Sequence, residues 1–557
     1  MCSSNLLRCG TSLLYRSHRV TKPFTPTKSA SLSACQRGGV LSCKMSKSAV
    51  PASFSLTVSE KQIFDTLIRA TQKAGIDTTL RCAGGWVRDK LLGKSSDDID
   101  IALDNLLGKE FAEKVNEYLS SEGKEIHTVG VIQCNPDQSK HLETARMKVC
   151  DVWLDLVNLR SETYADGSRI PEMTFGTPEQ DAYRRDFTIN ALFYNINDGT
   201  VEDLTLRGLD DLRDGIIRTP LDPMETFTDD PLRVLRAVRF ASRFGFELES
   251  ELVKAASSQQ VREELVAKVS RERVGTELDG MLNGPNPLAA AQILQQLRLF
   301  PAVFLAPEAQ QAKLGPDYGA ACVAAMARME AVLASPETKV QLGPEEMRLC
   351  RLAALLLPLR DVEVPKAKGK GGKHSASLPA FILRESLKRR AKDGEALALM
   401  HKEAGELLAL WPQLCLDGEI PAPTRTALGQ SIRRLKELWP AAVLLAPLLR
   451  APEATSLGVD PSPATAQTEG FADPSADDVR EHIECSNGLQ SAIRACGLEK
   501  AYTFKPLLDG KEVMKLLGLT SGGPMLGEAM AKMMDWQLAN PGGSAEECKA
   551  VLLANRE

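Results

Sequence analysis

Two aspartates on one short strand are the first residues in this sequence that predict chemistry. The stretch "GKSSDDIDIAL" (residues 93–103) places Ile99 between Asp98 and Asp100, and Ile101 follows. Because alternate side chains of a β-strand point to opposite faces, both carboxylates would share one face while the isoleucines enter a core. Paired carboxylates suit Mg²⁺, which often shares its coordination with substrate phosphates. The alternative is a solvated strand end whose acids face water.

A glycine pair just upstream could bring a phosphate beside this metal site. Gly84 and Gly85 end a predicted strand and open a short helix, and glycine lets the backbone come close to a ligand. The first N–H groups of a helix attract anions, and Arg88 lies one turn into the same helix. The alternative is an ordinary glycine turn with Arg88 at the surface. An anion cradle followed by two aspartates on the next strand favours a nucleotide site.

Two further segments supply groups for the same site. Asp155 lies between apolar residues in "VWLDLVNLR" (152–160), so it is a third candidate acid, although a strand acid can also face solvent. Three acids from two strands would hold two Mg²⁺ ions, which can activate a hydroxyl and stabilise a leaving pyrophosphate. In "RRDFTINALFYN", Arg185 is predicted to contact a phosphate and Asp186 a ribose hydroxyl. Asn190 would lie one turn further along the same face of a helix. Alternatively, Asp186 caps the helix and the arginine is solvated.

These side chains require a sheet to hold them, and the sequence predicts one in its first third. Strand patterns recur between residues 80 and 160 and are separated by short helical segments. From about residue 182 the strand signals fade and helical patterns take over. The apolar runs are too short to span a bilayer, so no membrane partner is expected. The predicted fold class is α+β, with a small sheet followed by an all-α remainder.

Composition separates the first 59 residues from the rest. They contain eight Lys or Arg, many serines and no Asp or Glu, which is typical of an organelle transit peptide; a disordered basic tail is the alternative. Met45 offers an internal start that would leave the product in the cytosol or nucleus. Without the +8 of this segment the net charge of −5 becomes −13, so binding to nucleic acid would need a local basic face.

The cysteines and histidines argue against a zinc enzyme. The thirteen cysteines form no C-x-x-C pair and show no zinc-like spacing with the six histidines. Free, reduced thiols suit an intracellular protein.

Several motifs carry a resemblance to a known family. They are "GGWVRDKLLG…DDIDIAL", "KHLETARMKV…LDLVNLRSETY", "RRDFTINALFYN", "GLDDLRDGIIRTP", "DDPLRVLRAVRFASRFGFEL" and "SRERVGTELDGML". The motifs occur in this order over roughly residues 61–285. Over this range the chain resembles the class II tRNA nucleotidyltransferases, the CCA-adding enzymes. The segment "KPLLDGKEVMKLLGLTSGGPMLGEAMAKMMDWQLANP" is similar to the C-terminal tail of eukaryotic members.

The resemblance implies a polymerase-β-like nucleotidyltransferase head followed by an all-α neck, body and tail. The implied activity adds C, C and A to the 3′ end of tRNA from CTP and ATP, without a nucleic-acid template, by two-metal transfer with Mg²⁺ that releases pyrophosphate. The implied partners are tRNA, CTP and ATP, and no obligate protein partner is evident. The predicted divisions are a transit peptide for mitochondrion or chloroplast (1–59), head (60–200), neck (201–284), body (285–455), linker (456–477) and tRNA-binding tail (478–557).

Motif position also assigns roles to individual residues. Asp98 and Asp100 would bind the metal, and the groups that hold the nucleotide's phosphates and sugar would be Gly85, Arg88 and Arg185. Asp230 and Arg233 would read the base, with two more arginines on later turns of that helix, Arg236 and Arg239. Where the family commonly has Glu-Asp-x-x-Arg, this sequence has Asp229 as the first acid. The tail would contact tRNA through a local basic surface that includes Lys505, Lys511 and Lys515.

Three other functions are compatible with parts of the pattern. A poly(A) polymerase on the same scaffold would use ATP alone, and the Asp230–Arg233 pair argues instead for selection of C and A. An enzyme that adds only CC or only A is the second alternative. The third, from a different class, is a non-catalytic RNA-binding protein, and the intact Asp98 and Asp100 argue against it.

Overall fold

The computed structural model describes residues 53–96, 98–132, 144–163, 172–315, 318–365, 376–415, 418–450 and 473–554. Most of the predicted transit peptide and residues 456–472 of the predicted linker lie outside the described residues. The division into head, neck, body and tail stays a prediction.

A mixed sheet dominates the N-terminal part of the described chain. Its strands are β1 (Leu80–Ala83), β2 (Ile99–Leu103), β3 (Gly130–Ile132), β4 (Thr144–Val149), β5 (Val152–Asn158), β8 (Phe193–Asn195) and β9 (Thr200–Glu202). A separate hairpin consists of β6 (Arg160–Thr163) and β7 (Glu172–Phe175). Among these residues the strand order of the sheet is β3-β4-β5-β2-β1-β8-β9. Only the β2–β5 pair is parallel within this described sheet, and it is this pair that aligns the predicted acids.

Helices pack on both faces of this sheet. The head helices are α1 (Val58–Ala74), α2 (Gly85–Leu91), α3 (Gly108–Ser121) and α4 (Pro178–Tyr183). A capping box between Thr57 and Glu60 starts α1, and α3 packs against β4 and β5. Ile99 and Ile101 are buried in the core that includes α1 and α3, which confirms the predicted alternation along β2.

One local prediction was wrong. The stretch "RRDFTINALFYN" forms a single 3-10 turn, Thr188–Asn190, and then the strand β8, instead of a helical run. β8 pairs with β1, and β9 pairs with β8 in turn, so the sheet continues well beyond residue 182. Phenylalanine and tyrosine favour strands, and the open edge of β1 supplies hydrogen-bonding partners that local sequence does not reveal.

The remainder of the described chain is helical apart from four two-residue strands. These strands are β10 (Ile216–Ile217), β11 (Glu247–Leu248), β12 (Glu363–Val364) and β13 (Ala376–Ser377). The helices are α5 (Gly208–Asp214), α6 (Pro223–Asp229), α7 (Leu232–Phe244), α8 (Ser250–Ala256), α9 (Gln259–Lys268), α10 (Arg271–Leu282), α11 (Pro287–Gln296), α12 (Phe300–Val303), α13 (Glu308–Leu314), α14 (Tyr318–Ala334), α15 (Pro344–Leu356), α16 (Leu378–Phe381), α17 (Ala391–Leu414), α18 (Ala422–Leu435), α19 (Trp439–Leu445), α20 (Ala476–Ala495), α21 (Gly510–Leu517), α22 (Pro524–Ala539) and α23 (Ala545–Ala554).

Helix α7 joins the sheet to the helical remainder. Its apolar side, with Val234, Leu235 and Val238, is buried, and the helix packs on α10 and α11. Its arginines line a cleft together with the glycine turn that follows β1. Within the described residues, no helix combines the length and apolar character needed to cross a bilayer.

Candidate active site

The parallel β2–β5 pair brings the three predicted acids together. Asp100 lies opposite Asp155 in the register, and Asp98 immediately precedes β2. One carboxylate oxygen from each of the three lies within 4.8 Å of the others. Oxygen ligands from several carboxylates at this spacing suit a hard divalent cation.

The electrostatics of this acid triad also fit a cation. Burial, with Asp98 and Asp155 nearby, raises the pKa of Asp100 to about 6, although Arg185 opposes the shift. Burial likewise raises the pKa of Asp155, against the opposing charge of Arg146. Arg146 Nε lies 3.3 Å from Asp155 Oδ1 without forming a hydrogen bond with it, so this buried oxygen remains available as a ligand atom. A bound cation would relieve the repulsion among the three carboxylates.

An arginine-rich cleft with a volume of about 500 Å³ lies between the sheet and α7. Nine of its lining residues are arginines, and four are acids, one of which is Asp100. The predicted nucleotide-binding residues all line it: Gly84, Gly85, Arg88, Arg185, Asp186, Asn190, Asp230, Arg233, Arg236 and Arg239. A cleft of this charge and size, with Asp100 of the acid triad in its wall, suits a nucleoside triphosphate.

Gly84 allows an arginine to approach the backbone closely. Its φ of +67° favours glycine, and a Cβ there would lie 2.7 Å from Arg185 Nη1. Arg185 donates from Nη2 to Asp181 Oδ2 at 2.7 Å, and from Nη1 to the Asn190 carbonyl oxygen at 3.3 Å. The guanidinium is therefore held in one orientation beside the start of α2.

Arg88 lines the cleft, but its guanidinium is buried and engaged. It pairs with Asp89 at 2.8 Å, donates to Asn190 Oδ1, and lies 4.8 Å from the ring centre of Phe244. The alternative of a surface arginine was wrong. In this structure Arg88 packs α2 against α7. Its guanidinium forms part of the cleft wall and contributes positive charge there.

Asp186 and Asn190 form a buried network and do not share the face of a helix. Asp186 Oδ1 accepts from Asn190 Nδ2 at 2.9 Å and from the Phe187 N–H at 2.9 Å. Asp186 Oδ2 accepts from Arg236 Nε at 2.7 Å. Burial alone would raise the pKa of Asp186, but Arg236 and Asn190 hold that pKa below its ordinary value. This carboxylate is thus an anchor for α7 at the cleft.

Asp230 and Arg233 both line the cleft, but Asp230 precedes the helix that carries Arg233. Asp230 Oδ1 accepts from the Leu232 N–H at 3.2 Å, as a capping residue does, and Oδ2 accepts from Arg273 Nη2 at 2.8 Å. Arg233 Nη2 donates to the Arg184 carbonyl oxygen at 2.8 Å. The structure therefore places Asp230 at the predicted cleft position, just before the N-cap residue Pro231 of α7, with Arg273 as its ionic partner.

The later arginines of α7 are also paired. Arg239 Nε donates to Glu277 Oε2 at 2.6 Å, and its guanidinium lies 4.4 Å from the ring centre of Phe240.

Two functional candidates were missed from sequence. Asp181 is buried and accepts from Arg184 Nε at 2.8 Å as well as from Arg185. Its spacing of three and four residues before these arginines was the available signal. Arg273 gave no local signal, because α10 meets Asp230 only in the folded chain.

The three predicted tail lysines lie at the surface. Lys505 precedes α21, and Lys511 and Lys515 are four residues apart on it, so the latter two share a face.

Two family models match parts of the chain. The "Poly A polymerase head domain" matches residues 80–218, which hold the sheet and the acid triad. The "Probable RNA and SrmB- binding site of polymerase A" matches residues 245–313.

Relatives match over most of their length. The mitochondrial CCA tRNA nucleotidyltransferase of Saccharomyces cerevisiae is 34% identical, over 85% of this chain and 88% of the relative. The tRNA nucleotidyltransferase cca2 of Schizosaccharomyces pombe is 34% identical, over 87% of this chain and 94% of the relative. Among solved structures, the Bacillus stearothermophilus CCA-adding enzyme in complex with CTP has a TM-score of 0.56 at 20% identity, over 90% of this chain and 98% of that one. These matches confirm the predicted fold class, a polymerase-β-like head followed by helices.

Proposed function

The chain belongs to the CCA tRNA nucleotidyltransferase family, and from that premise we propose that it adds C, C and A to the 3′ end of tRNA, from CTP and ATP, without a nucleic-acid template and with release of pyrophosphate. The observation that carries this proposal is that Asp100 of the acid triad lines a cleft together with nine arginines. The triad suits metal-assisted phosphoryl chemistry, and the cleft suits a triphosphate.

Asp98, Asp100 and Asp155 would hold the divalent metal that the family uses, and we propose Mg²⁺. Their clustered oxygens, and the buried Oδ1 of Asp155 that accepts no hydrogen bond, fit a hard cation. When bound there, the metal would polarise phosphate oxygens and favour ionisation of the attacking hydroxyl. The protein's own part is to hold the three carboxylates together where the start of β2 pairs with the middle of β5.

The cleft residues would orient the nucleotide. Arg185 and the N–H groups near Gly85 would contact phosphates, and Arg236 and Arg239 would add positive charge along α7. Asp230 accepts hydrogen bonds and Arg233 donates them, so together they match the mixed donor and acceptor edges of cytosine and adenine. Selection of the base would then come from protein groups.

A poly(A) polymerase remains the second candidate, because the family model over the head carries that description. Incubation of tRNA lacking its last three residues with each nucleotide in turn separates the two. When each nucleotide is supplied separately, we expect only CTP to be incorporated. ATP should be incorporated only into tRNA to which C has already been added. Repeated addition of A from ATP alone would favour the poly(A) polymerase. Addition that stops at CC when both nucleotides are present would indicate a CC-adding enzyme, and addition of a single A only to tRNA that already ends in CC would indicate an A-adding enzyme. No incorporation with either tRNA would indicate a non-catalytic RNA-binding protein.

We also propose that the full-length chain enters mitochondria, as the names of two yeast relatives indicate for those proteins. The acid-free, basic composition of residues 1–59 supports import. A chloroplast location, and a cytosolic or nuclear form from Met45, are further proposals. A fluorescent reporter fused to residues 1–59 tests import, and purely cytosolic fluorescence would contradict it.

The tail would bind tRNA away from its 3′ end. Its exposed lysines, Lys505, Lys511 and Lys515, support this proposal because phosphate contacts require a local basic surface on a chain whose net charge is negative.

A further inference from the structure

An exposed tryptophan lies beside the acid triad. Trp153 is the second residue of β5, and 48% of its surface is exposed. It lies on the same face of β5 as Asp155, two residues away, which corresponds to about 7 Å along a strand. A large aromatic side chain left open beside a polar site is a feature that packing of the head does not explain.

Two basic residues of β4 flank this tryptophan. Lys148 is its register partner, and Arg146 is the register partner of Asp155. The Arg146 guanidinium lies 5.4 Å from the ring centre of Trp153 and is itself about half exposed. We call Arg146, Lys148 and Trp153 the Trp153 platform.

The platform lies on the side of the acids opposite to the glycine turn of the arginine-rich cleft. Gly84 and Gly85 follow β1, and the sheet runs β4-β5-β2-β1, so this turn is on the β1 side of the acid triad and the platform is on the β4 side. In phosphoryl transfer the attacking and leaving oxygens are roughly in line. If the cleft holds the triphosphate, as the proposed function requires, the RNA 3′ hydroxyl must approach from the platform side.

We propose that Trp153 stacks on the 3′-terminal base of the tRNA acceptor, while Arg146 and Lys148 contact its backbone phosphates. Single-stranded RNA ends are commonly bound by aromatic and arginine planes. The terminal base is not the same at every step, because it is the last base of the unprocessed tRNA at the first addition and C at the next two, so a hydrogen-bonding reader of one base would fail at some steps. Stacking tolerates every base, because each has a π-face.

The first test compares Trp153→Ala and Trp153→Phe with the wild type on tRNA lacking its last three residues. Loss of one stacked base predicts a fall in kcat/KM for tRNA of about fivefold to 150-fold in Trp153→Ala. Trp153→Phe keeps an aromatic plane and should retain most of the activity. The KM for CTP and the thermal unfolding temperature should not change in either variant.

The second test makes the first one specific for stacking. The same tRNA is prepared with a 3′-terminal nucleotide that lacks its base, and all four combinations of enzyme and tRNA are measured as a double-mutant cycle. We expect the abasic tRNA to lose activity with the wild type, and Trp153→Ala to lose little more with it. If the activity lost with both changes together equals the product of the two separate losses, the tryptophan and the base do not interact, and the inference is overturned.

Other outcomes are also decisive. Equal use of tRNA by the wild type and Trp153→Ala, or a change only in self-association of the protein, would overturn the platform while leaving the proposed function intact. A wild type that incorporates no nucleotide would instead contradict the proposed function.

Discussion

At the scale of single residues, the cleft is built from arginines that already have partners. Arg185 is held by Asp181, Arg236 by Asp186 and Arg239 by Glu277, so their guanidinium groups are oriented before a ligand arrives. Preorganised charge of this kind costs little reorganisation when a triphosphate binds. These acidic partners also reduce the repulsion among the arginines, which stabilises the folded state.

Arg233 gives a prediction at this scale. Arg233→Ala should weaken discrimination of CTP and ATP against UTP and GTP by about 1–3 kcal/mol, by analogy with other side-chain contacts to bases. That corresponds to about tenfold to a hundredfold in selectivity. The measurement is kcat/KM for all four nucleotides.

Arg273→Ala is the companion variant, because it releases Asp230 without removing a predicted base contact. It should shift selectivity in the same direction but less. A uniform fall for all four nucleotides in Arg233→Ala would make Arg233 a structural residue and place the reader elsewhere.

Residue patterns predicted the acids better than the arginines. Alternation along a strand is a local property, so the shared face of Asp98 and Asp100 follows from sequence. The burial of Arg88 does not, because Phe244 reaches it from a helix more than a hundred residues away. Asp230 and Arg273 likewise meet only through the packing of α10 on α7.

At the scale of elements, the segment after Arg185 shows where local reasoning ends. Its residues can form a helical turn or a strand, and pairing with β1 decides for the strand. The outcome matters for the site, because the 3-10 turn places Asn190 against Asp186 and Arg88. A continuous helix would have separated this network from β1.

Two buried histidines in the helical part predict a pH effect on stability. Burial lowers the pKa of His401 in α17 and His482 in α20 to about 4, although each ring bonds a backbone carbonyl. An unfolded histidine titrates near 6.5. Between about pH 6.5 and pH 4 the unfolded chain therefore binds more protons, so stability falls as the pH falls through this window. Each histidine contributes on the order of 3 kcal/mol to the loss by pH 4.

His482→Gln tests this effect, since glutamine can still donate to the Leu444 carbonyl oxygen. The free energy of unfolding is measured by denaturant titration at pH 7 and pH 5 for both proteins. The variant should lose less stability than the wild type over this interval, by roughly 2 kcal/mol. Parallel pH dependences would show that His482 does not titrate as described.

At the scale of the whole molecule, an acidic chain must bind an acidic partner. The chain beyond residue 59 has a net charge of −13, so attraction to tRNA must come from local surfaces, one of which is the cleft. The need for a local basic surface was predicted from composition. The order of a sheet followed by helices was predicted from the loss of strand patterns after about residue 182. The packing of α20 and α22 on the helical body could not be predicted, because it depends on contacts distant in sequence.

The tail lysines give the prediction at this scale. Replacing Lys505, Lys511 and Lys515 together with alanine should weaken tRNA binding, and each lost phosphate contact should reduce the slope of log affinity against log salt by about 0.7–0.9. The triple arginine variant keeps the charge and is the matched control. Nucleotide binding in the cleft should not change. Unaltered tRNA affinity in the alanine variant would show that the basic surface lies elsewhere.

The central claim is that Asp98, Asp100 and Asp155 form the metal site of CCA addition, and the most direct measurement is the addition of C, C and A by charge-neutral variants of these acids. Asp98→Asn and Asp100→Asn should abolish addition with Mg²⁺, while the free energy of unfolding stays the same or rises, because each removes a repelling charge. Asp65→Asn is the matched control, since Asp65 is an exposed acid on α1 that contributes to neither the acid triad nor the Trp153 platform, and it should retain activity. Near-normal turnover by Asp98→Asn or Asp100→Asn, with the 3′ ends completed to CCA, would contradict the account.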